Sequence, residues 1–191
     1  MIKFKEIKHG KGGIPVGIAG LIFILILIAV GGFYIHTVNR VTKLDGAARN
    51  LAGDIDTLLW DRNHVYETMT EILEKKGIPL EEDMTKKLAL SLGMSPTLQM
   101  ANHTELHRRR NSLDQILEEH PELKEDEEFS KQLTRFDALR TELIGAASKY
   151  NESARIFNGY IEKPFASFIA AKKTKGTKSF FSHELAEVTA K

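Results

Sequence analysis

The chain from Ile14 to Ile35 is almost entirely apolar and contains no Asp, Glu, Lys, Arg or His. As a helix this stretch is about 33 Å long, at about 1.5 Å per residue, which is enough to cross the hydrocarbon core of a bilayer. The sequence therefore predicts one transmembrane helix over residues 14–36. A cleaved signal peptide is the alternative, because a small-x-small step ends at Gly31. Signal cores are only about 7–15 residues long, which favours an uncleaved anchor.

After this stretch, apolar positions recur at alternating steps of three and four, the spacing of one helical face. They are Val41, Leu44, Ala48, Leu51, Ile55, Leu58, Val65, Met69 and Ile72. Only Arg62 interrupts the row, and no Pro lies between His36 and Val41, so the transmembrane helix is expected to continue directly into this one. It is expected to end near Lys76, because Gly77 permits a left-handed cap and Pro79 cannot continue a helix.

Two weaker helical patterns follow. An acidic turn after Pro79 predicts a short helix or helical connection. Its apolar face consists of Met84, Leu88 and Leu92. A longer helix is predicted from Thr97 to His120, where Pro121 follows, although residues 108–110 are three arginines in a turn that partly faces inward.

The last long pattern begins after Pro121 with an acidic first turn. Its apolar row is Phe129, Leu133, Phe136, Leu143, Ala147, Tyr150, Ala154, Phe157 and Ile161, widened by Leu139. We expect Phe136 and Leu143 to face Leu51 and Ile55 or their neighbours on the first long helix. Pro164 is expected to bend or end the helix, and residues 165–170 to cover the bottom of the core. The pattern as a whole predicts an all-α fold, in which the N-terminal transmembrane helix continues into an antiparallel bundle of long helices.

Four segments are therefore predicted: a basic N-terminal segment (1–13), the transmembrane helix (14–36), the helical bundle (37–171) and a basic, loosely ordered tail (172–191). The chain has no cysteine, which excludes disulfides and thiolate metal sites. The formal net charge of +1 does not indicate a nucleic-acid partner.

Lysine and arginine lie on both sides of the predicted span. Four lysines precede it, and Arg40, Lys43 and Arg49 follow it. Because positive residues favour the cytoplasmic side, the small excess predicts a cytoplasmic N-terminus in the cell membrane and an extracytoplasmic bundle.

Two stretches resemble a known family. They read His-Pro-Glu-Leu-Lys at 120–124 and Tyr-Asn-Glu-Ser-Ala-Arg-Ile-Phe-Asn at 150–158, and the first helix has a matching core spacing. That spacing is formed by Ile55, Asp56, Leu59, Arg62, Val65 and Met69. Together they are similar to the LemA family, and this resemblance implies a bacterial or archaeal membrane-anchored helical bundle without an agreed enzymatic activity. The chain departs from the family pattern at Glu67, Phe157 and Lys163.

Two asparagines share a helical face with the apolar row of the last long helix. Asn151 and Asn158 follow Tyr150 and Phe157, and an unpaired buried amide costs about 1–3 kcal/mol. They are expected either to bond other helices and fix their register or to line a cleft, and Arg62 is expected to pair with Glu142 or an amide. The candidate polar cluster is Arg62, Glu142, Tyr150, Asn151 and Asn158.

Other polar patterns are weaker indicators of chemistry. His103 and His107 have a metal-ligand spacing but lack an evident third ligand, and the single Asp61–His64 pair does not make a di-iron site. The glycine-rich residues 10–13 lack the ending of a phosphate loop. We therefore predict neither a metal nor a cofactor, and no catalytic residues.

The sequence favours a non-enzymatic, membrane-anchored interaction or scaffold protein that docks a membrane partner or assembles with itself. The alternative is a bundle that senses a small ligand near Tyr150, Asn151 and Asn158. The predicted partners are the lipid bilayer and either a membrane protein or a second copy of the chain.

Overall fold

The computed structural model describes residues 16–173 and 175–181, so the predicted N-terminal segment and the end of the tail lie outside the described residues. These residues form α1 (Val16–Lys75), α2 (Glu82–Thr85), α3 (Pro96–Glu119), α4 (Glu127–Ile161) and α5 (Pro164–Lys172), with a 3₁₀ turn at Pro121–Lys124. No strand occurs in this part of the chain. The predicted all-α fold with one apolar N-terminal helix is confirmed.

Helix α1 is continuous over 60 residues, as the absence of proline predicts. Its apolar N-terminal part is exposed, and within the described ranges α1 alone is long and apolar enough to cross a membrane. Burial of α1 side chains begins at Thr37 and Val41, which are almost completely buried. The candidate membrane anchor is therefore one rigid element with the first helix of the bundle.

Helix α1 ends in the predicted left-handed cap. Gly77 has a φ of +74°, and its N–H donates to the carbonyl of Glu74 at 2.9 Å. The N–H of Ile78 donates to the carbonyl of Leu73 at 3.1 Å. These bonds satisfy carbonyls that the helix leaves free at its end, and the positive φ explains why glycine stands there.

The connection between α1 and α3 contains the predicted short helix, but this helix is too short to carry the whole predicted apolar face. The connection contains only the single turn α2, followed by extended chain, and Leu92 is 84% exposed rather than part of an apolar face. Side chains bind its carbonyls instead: the Tyr66 hydroxyl donates to Met84 at 3.1 Å, and the Arg109 guanidinium donates to Lys86. A helical connection would use these carbonyls for its own hydrogen bonds.

Helix α4 packs along α1 in the opposite direction. Lys76, just after α1, pairs with Asp126, just before α4, at 2.7 Å. At the other end, Val41 clusters with Phe157 and Ile161. The long helices are thus in contact from the cap of α1 to the level at which its apolar stretch ends.

Helix α3 covers only the upper part of this pair, by which we mean the part farther from the apolar stretch of α1. Near its start, the Gln99 side chain donates to the carbonyl of Ala52 at 2.9 Å, and further along, the Arg109 guanidinium lies 5.2 Å from the centre of the Tyr66 ring. Between Ala52 and the apolar stretch of α1, α3 leaves the groove between α1 and α4 uncovered. We call this part the lower groove.

Phe136 contacts α1 further from the apolar stretch than Leu51 and Ile55. Phe136 lies under the Arg62 guanidinium, 4.2 Å from the ring centre, and its ring is 6.2 Å from that of Tyr66. The sequence pattern gives the buried face of each helix but not the level at which two faces meet, so it did not identify Arg62 and Tyr66 as the contacts of Phe136.

Candidate functional site

The lower groove between α1 and α4 holds the end of the described chain. We call residues 175–181 the C-terminal segment; it is neither helical nor part of a sheet, and Phe181 at its end is buried in the main core cluster. The expectation of a loosely ordered tail does not describe these residues, because side chains of α1 and α4 bind them along their length. Residues 174 and 182–191 lie outside the described part of the tail.

Asn151 and Asn158 bind the main chain of this segment in the same way. The Lys178 N–H donates to Oδ1 of Asn158 at 2.8 Å, and the amide of Asn158 donates to the Lys178 carbonyl at 2.9 Å. Asn151 makes the same two bonds with Phe181, at 2.8 and 3.1 Å. The two asparagines are seven helical residues apart, which is about 10 Å. Three residues of extended chain span the same distance, so Lys178 and Phe181 can each meet one asparagine.

Tyr150 adds a third main-chain contact and an aromatic one. Its hydroxyl donates to the carbonyl of Ser179 at 3.0 Å, and its ring meets that of Phe181 edge to face with centres 5.4 Å apart. Burial raises the pKa of Tyr150, which keeps the hydroxyl protonated as a donor. Tyr150 and Asn151 together therefore fix the end of the C-terminal segment.

Asp45 of α1 anchors the basic residues of the segment from the opposite wall. It is 2% exposed and accepts hydrogen bonds from the ammonium groups of Lys178, at 2.6 Å, and Lys175; Arg49 also lies 3.0 Å away. Burial raises the pKa of Asp45, but the hydrogen bonds from the two lysines outweigh it and leave the pKa below its ordinary value. The charged carboxylate of Asp45 thus binds the two lysines from the α1 side of the groove.

The structure separates Arg62 and Glu142 from this site. Glu142 is exposed and pairs with Arg135 at 2.9 Å, so the expected pairing with Arg62 is wrong. The Arg62 guanidinium is fully buried and reaches His103 at 3.5 Å, not an asparagine amide. Burial, and then the charge of Arg140, lower the pKa of Arg62 to about 10.

Of the two histidines of α3, His103 lies beside Arg62. His103 is buried, and burial followed by the charge of Arg62 lowers its pKa to about 3. A cation this close opposes metal binding at the same ring. Asp61 and His64 are exposed, and the described ranges contain no group of three metal-ligating residues.

Asp45 was not among the residues singled out from the sequence, and Asp56 was given no role beyond the family's core spacing. Asp45 lies between Val41 and Ala48 on the buried face of α1, and Asp56 further along accepts the Gly93 N–H at 2.7 Å. Both are 2% exposed. A carboxylate in register with an apolar row is a signal for a buried polar contact, and reading the row with both charges included finds these two residues.

One family of known proteins matches the sequence. The sequence model of the LemA family matches residues 62–191, which include α3, α4, both asparagines and the C-terminal segment. No curated protein and no solved structure matches the chain. Because the match covers more than half of the sequence, the chain belongs to the LemA family.

Proposed function

We propose that this protein is a non-enzymatic, membrane-anchored interaction protein whose lower groove binds an extended polypeptide segment. The observation that carries the proposal is the paired binding of Lys178 and Phe181 by Asn158 and Asn151. Each amide satisfies both the donor and the acceptor of one residue, as a neighbouring strand does in a sheet. Main-chain bonds of this kind supply affinity, and side-chain pockets supply specificity.

The residues that line the groove determine which side chains it prefers in an occupant. Asp45 suits a cation at the positions of Lys175 and Lys178, and the face of Tyr150 suits an aromatic ring at the position of Phe181. The preferred occupant is therefore extended and carries two basic residues followed by an aromatic one, at intervals of three. The chain's own segment has this pattern, so it competes with any segment of a partner.

The position of the groove restricts the partner. Asp45 lies ten residues after Ile35, where the apolar stretch ends, so it stands about 15 Å further along the helix. We take the source of the segment to be another membrane protein or a second copy of the chain, because a protein held in the same bilayer is concentrated at this level. The proposed biological role is accordingly to dock a membrane partner or to assemble with itself.

A cleft next to the segment supports the ligand-sensing alternative. It has a volume of about 500 Å³, lies between the lower groove and the start of α3, and is open to solvent. Tyr150, Lys178 and Asp56 line it. A small molecule bound there would contact the segment, whereas a docked peptide would replace it, and this difference separates the two functions.

Photocrosslinking in intact membranes tests the docking function. Arg155 is exposed and lies on α4 between the two asparagines, so a photoreactive residue at this position samples the occupant of the groove. Exposed Thr134, far along α4, provides the matched control. The proposal expects adducts with the C-terminal segment and with a segment of a partner or second copy, the second class rising when Phe181→Ala weakens the internal occupant. Internal adducts alone, even in this variant, would contradict docking.

A further inference from the structure

Helix α5 exposes aromatic rings on one side. Its other side, Ala166, Ile169 and Ala170, is buried in the lower core cluster. We define the α5 outer face as Phe165, Phe168 and Lys172, which are spaced as one helical stripe. Phe168 is 60% exposed and Phe165 38% exposed. Two large rings without full cover on a nine-residue helix indicate an apolar environment outside the protein.

The α5 outer face lies beside the end of the candidate span. The centre of the Phe165 ring is 4.9 Å from that of Phe33 and 6.5 Å from that of Tyr34. These two residues are the last aromatic residues before the apolar stretch ends at Ile35. Helices that lie in the membrane interface bury Phe and other apolar side chains at the boundary between headgroups and acyl chains. Phe165 and Phe168 extend the apolar surface of α1 onto a second helix in this way.

Basic residues surround these rings. The Lys172 ammonium lies 5.7 Å from the centre of the Phe168 ring, and the Lys163 ammonium 5.3 Å from that of Tyr160. Further cationic residues exposed at this end of the protein are Arg40, Lys43 and Lys173. Glu162 is the nearby exposed carboxylate in the described chain. Long basic side chains can pack their stems on rings while their charges reach phosphate groups.

We propose that the α5 outer face binds the bilayer interface, with Phe165 and Phe168 at the boundary of the acyl chains and the flanking lysines against anionic lipid headgroups. This inference rests on the membrane anchoring in the proposed function. One transmembrane helix alone leaves the bundle free to tilt, whereas a second attachment at α5 fixes its orientation. The lower groove is then held at a constant height above the bilayer.

A fluorescent probe tests this attachment, because the chain has no cysteine and accepts single labelling sites. Phe168→Cys places an environment-sensitive probe on the α5 outer face, and Thr134→Cys places it on an exposed site of α4, about 40 Å from the end of that helix. Both full-length variants are put into phosphatidylcholine nanodiscs that contain lipids with a nitroxide near the headgroup.

The proposal expects quenching several-fold stronger at residue 168 than at residue 134. Replacing part of the phosphatidylcholine with phosphatidylglycerol should raise the quenching at 168, and adding salt or Lys172→Glu should lower it again. Equal quenching at both sites would overturn the proposal while leaving the anchor intact. Failure of the labelled chain to stay with the nanodiscs would overturn the anchor itself and the α5 attachment with it.

Discussion

Asn158 and Lys178 exchange two hydrogen bonds, of 2.8 and 2.9 Å, between one side-chain amide and one main-chain residue. The contact joins positions twenty residues apart, one in a helix and one in the C-terminal segment. Because the main chain supplies both bonds, the contact does not depend on the side chain of the residue at position 178. This relationship makes the lower groove a site for polypeptide rather than for one particular side chain.

The first prediction concerns amide hydrogen exchange. Asn158→Ala should increase exchange at the Lys178 amide and Asn151→Ala at the Phe181 amide, because each variant removes the acceptor of that N–H. Exchange in the centre of α4 should stay unchanged. Asn111→Ala, at an exposed asparagine of α3, is the control. Unchanged exchange at both amides would show that the segment does not occupy the groove in solution.

The second prediction concerns the upper core. Phe136→Ala should lower the free energy of unfolding by about 3–5 kcal/mol, since a fully buried ring is lost and a cavity opens below Arg62. Leu133→Ala, one turn earlier and only partly buried, should cost less. Denaturant unfolding of the purified chain in detergent measures both. A loss below about 1 kcal/mol for Phe136→Ala would contradict the packing.

The buried His103 gives a prediction about pH. Its pKa is lowered to about 3, so between this value and an ordinary pKa of about 6.5 the unfolded chain binds a proton that the folded chain does not. Stability should therefore fall as the pH drops below about 6.5, by up to about 1.4 kcal/mol per pH unit from this residue. His103→Gln should remove that part of the slope, measured as unfolding midpoints at three pH values. His64→Gln, at an exposed site, should keep it; equal slopes in all three proteins would contradict the account.

The orientation in the membrane is open to a labelling experiment. Four lysines before the apolar stretch predict that the bundle lies outside the cytoplasm. Ser148→Cys, at an exposed position of α4, should then react with a membrane-impermeant maleimide in intact spheroplasts. Reaction only after lysis would reverse the orientation. The cysteine-free parent chain reports background labelling.

The long helices and their ends could be predicted from the sequence, because they depend on interactions between residues that are close together in the chain. The apolar rows gave the buried faces of α1 and α4, and Gly77 and Pro121 marked ends that the structure reproduces. The connection after α1 was harder, because its carbonyls are bound by Tyr66 and Arg109 from distant positions. Such contacts leave no periodic signal in the sequence.

The sequence predicted the two asparagines of the candidate site but not their partners. The row of α4 shows that Asn151 and Asn158 lie near the core, and their amides therefore need partners. Those partners are main-chain groups of residues 178 and 181, and every residue carries such groups. Arg62 was correctly recognised as an interruption of the α1 row, but its neighbour His103 depends on how α3 is placed against α1.

Peptide binding tests the central claim, which is that the lower groove holds an extended polypeptide segment. A fluorescent peptide with the sequence of residues 175–181 is titrated onto the full-length chain in nanodiscs, and its anisotropy is recorded. The wild-type chain should bind it weakly, because the tethered segment competes at an effective concentration on the order of millimolar. Phe181→Ala should bind it more tightly, and adding Asn151→Ala and Asn158→Ala should abolish binding while Asn111→Ala leaves it intact. Absence of binding to the Phe181→Ala chain, or equal binding with and without the two asparagines, would contradict the account.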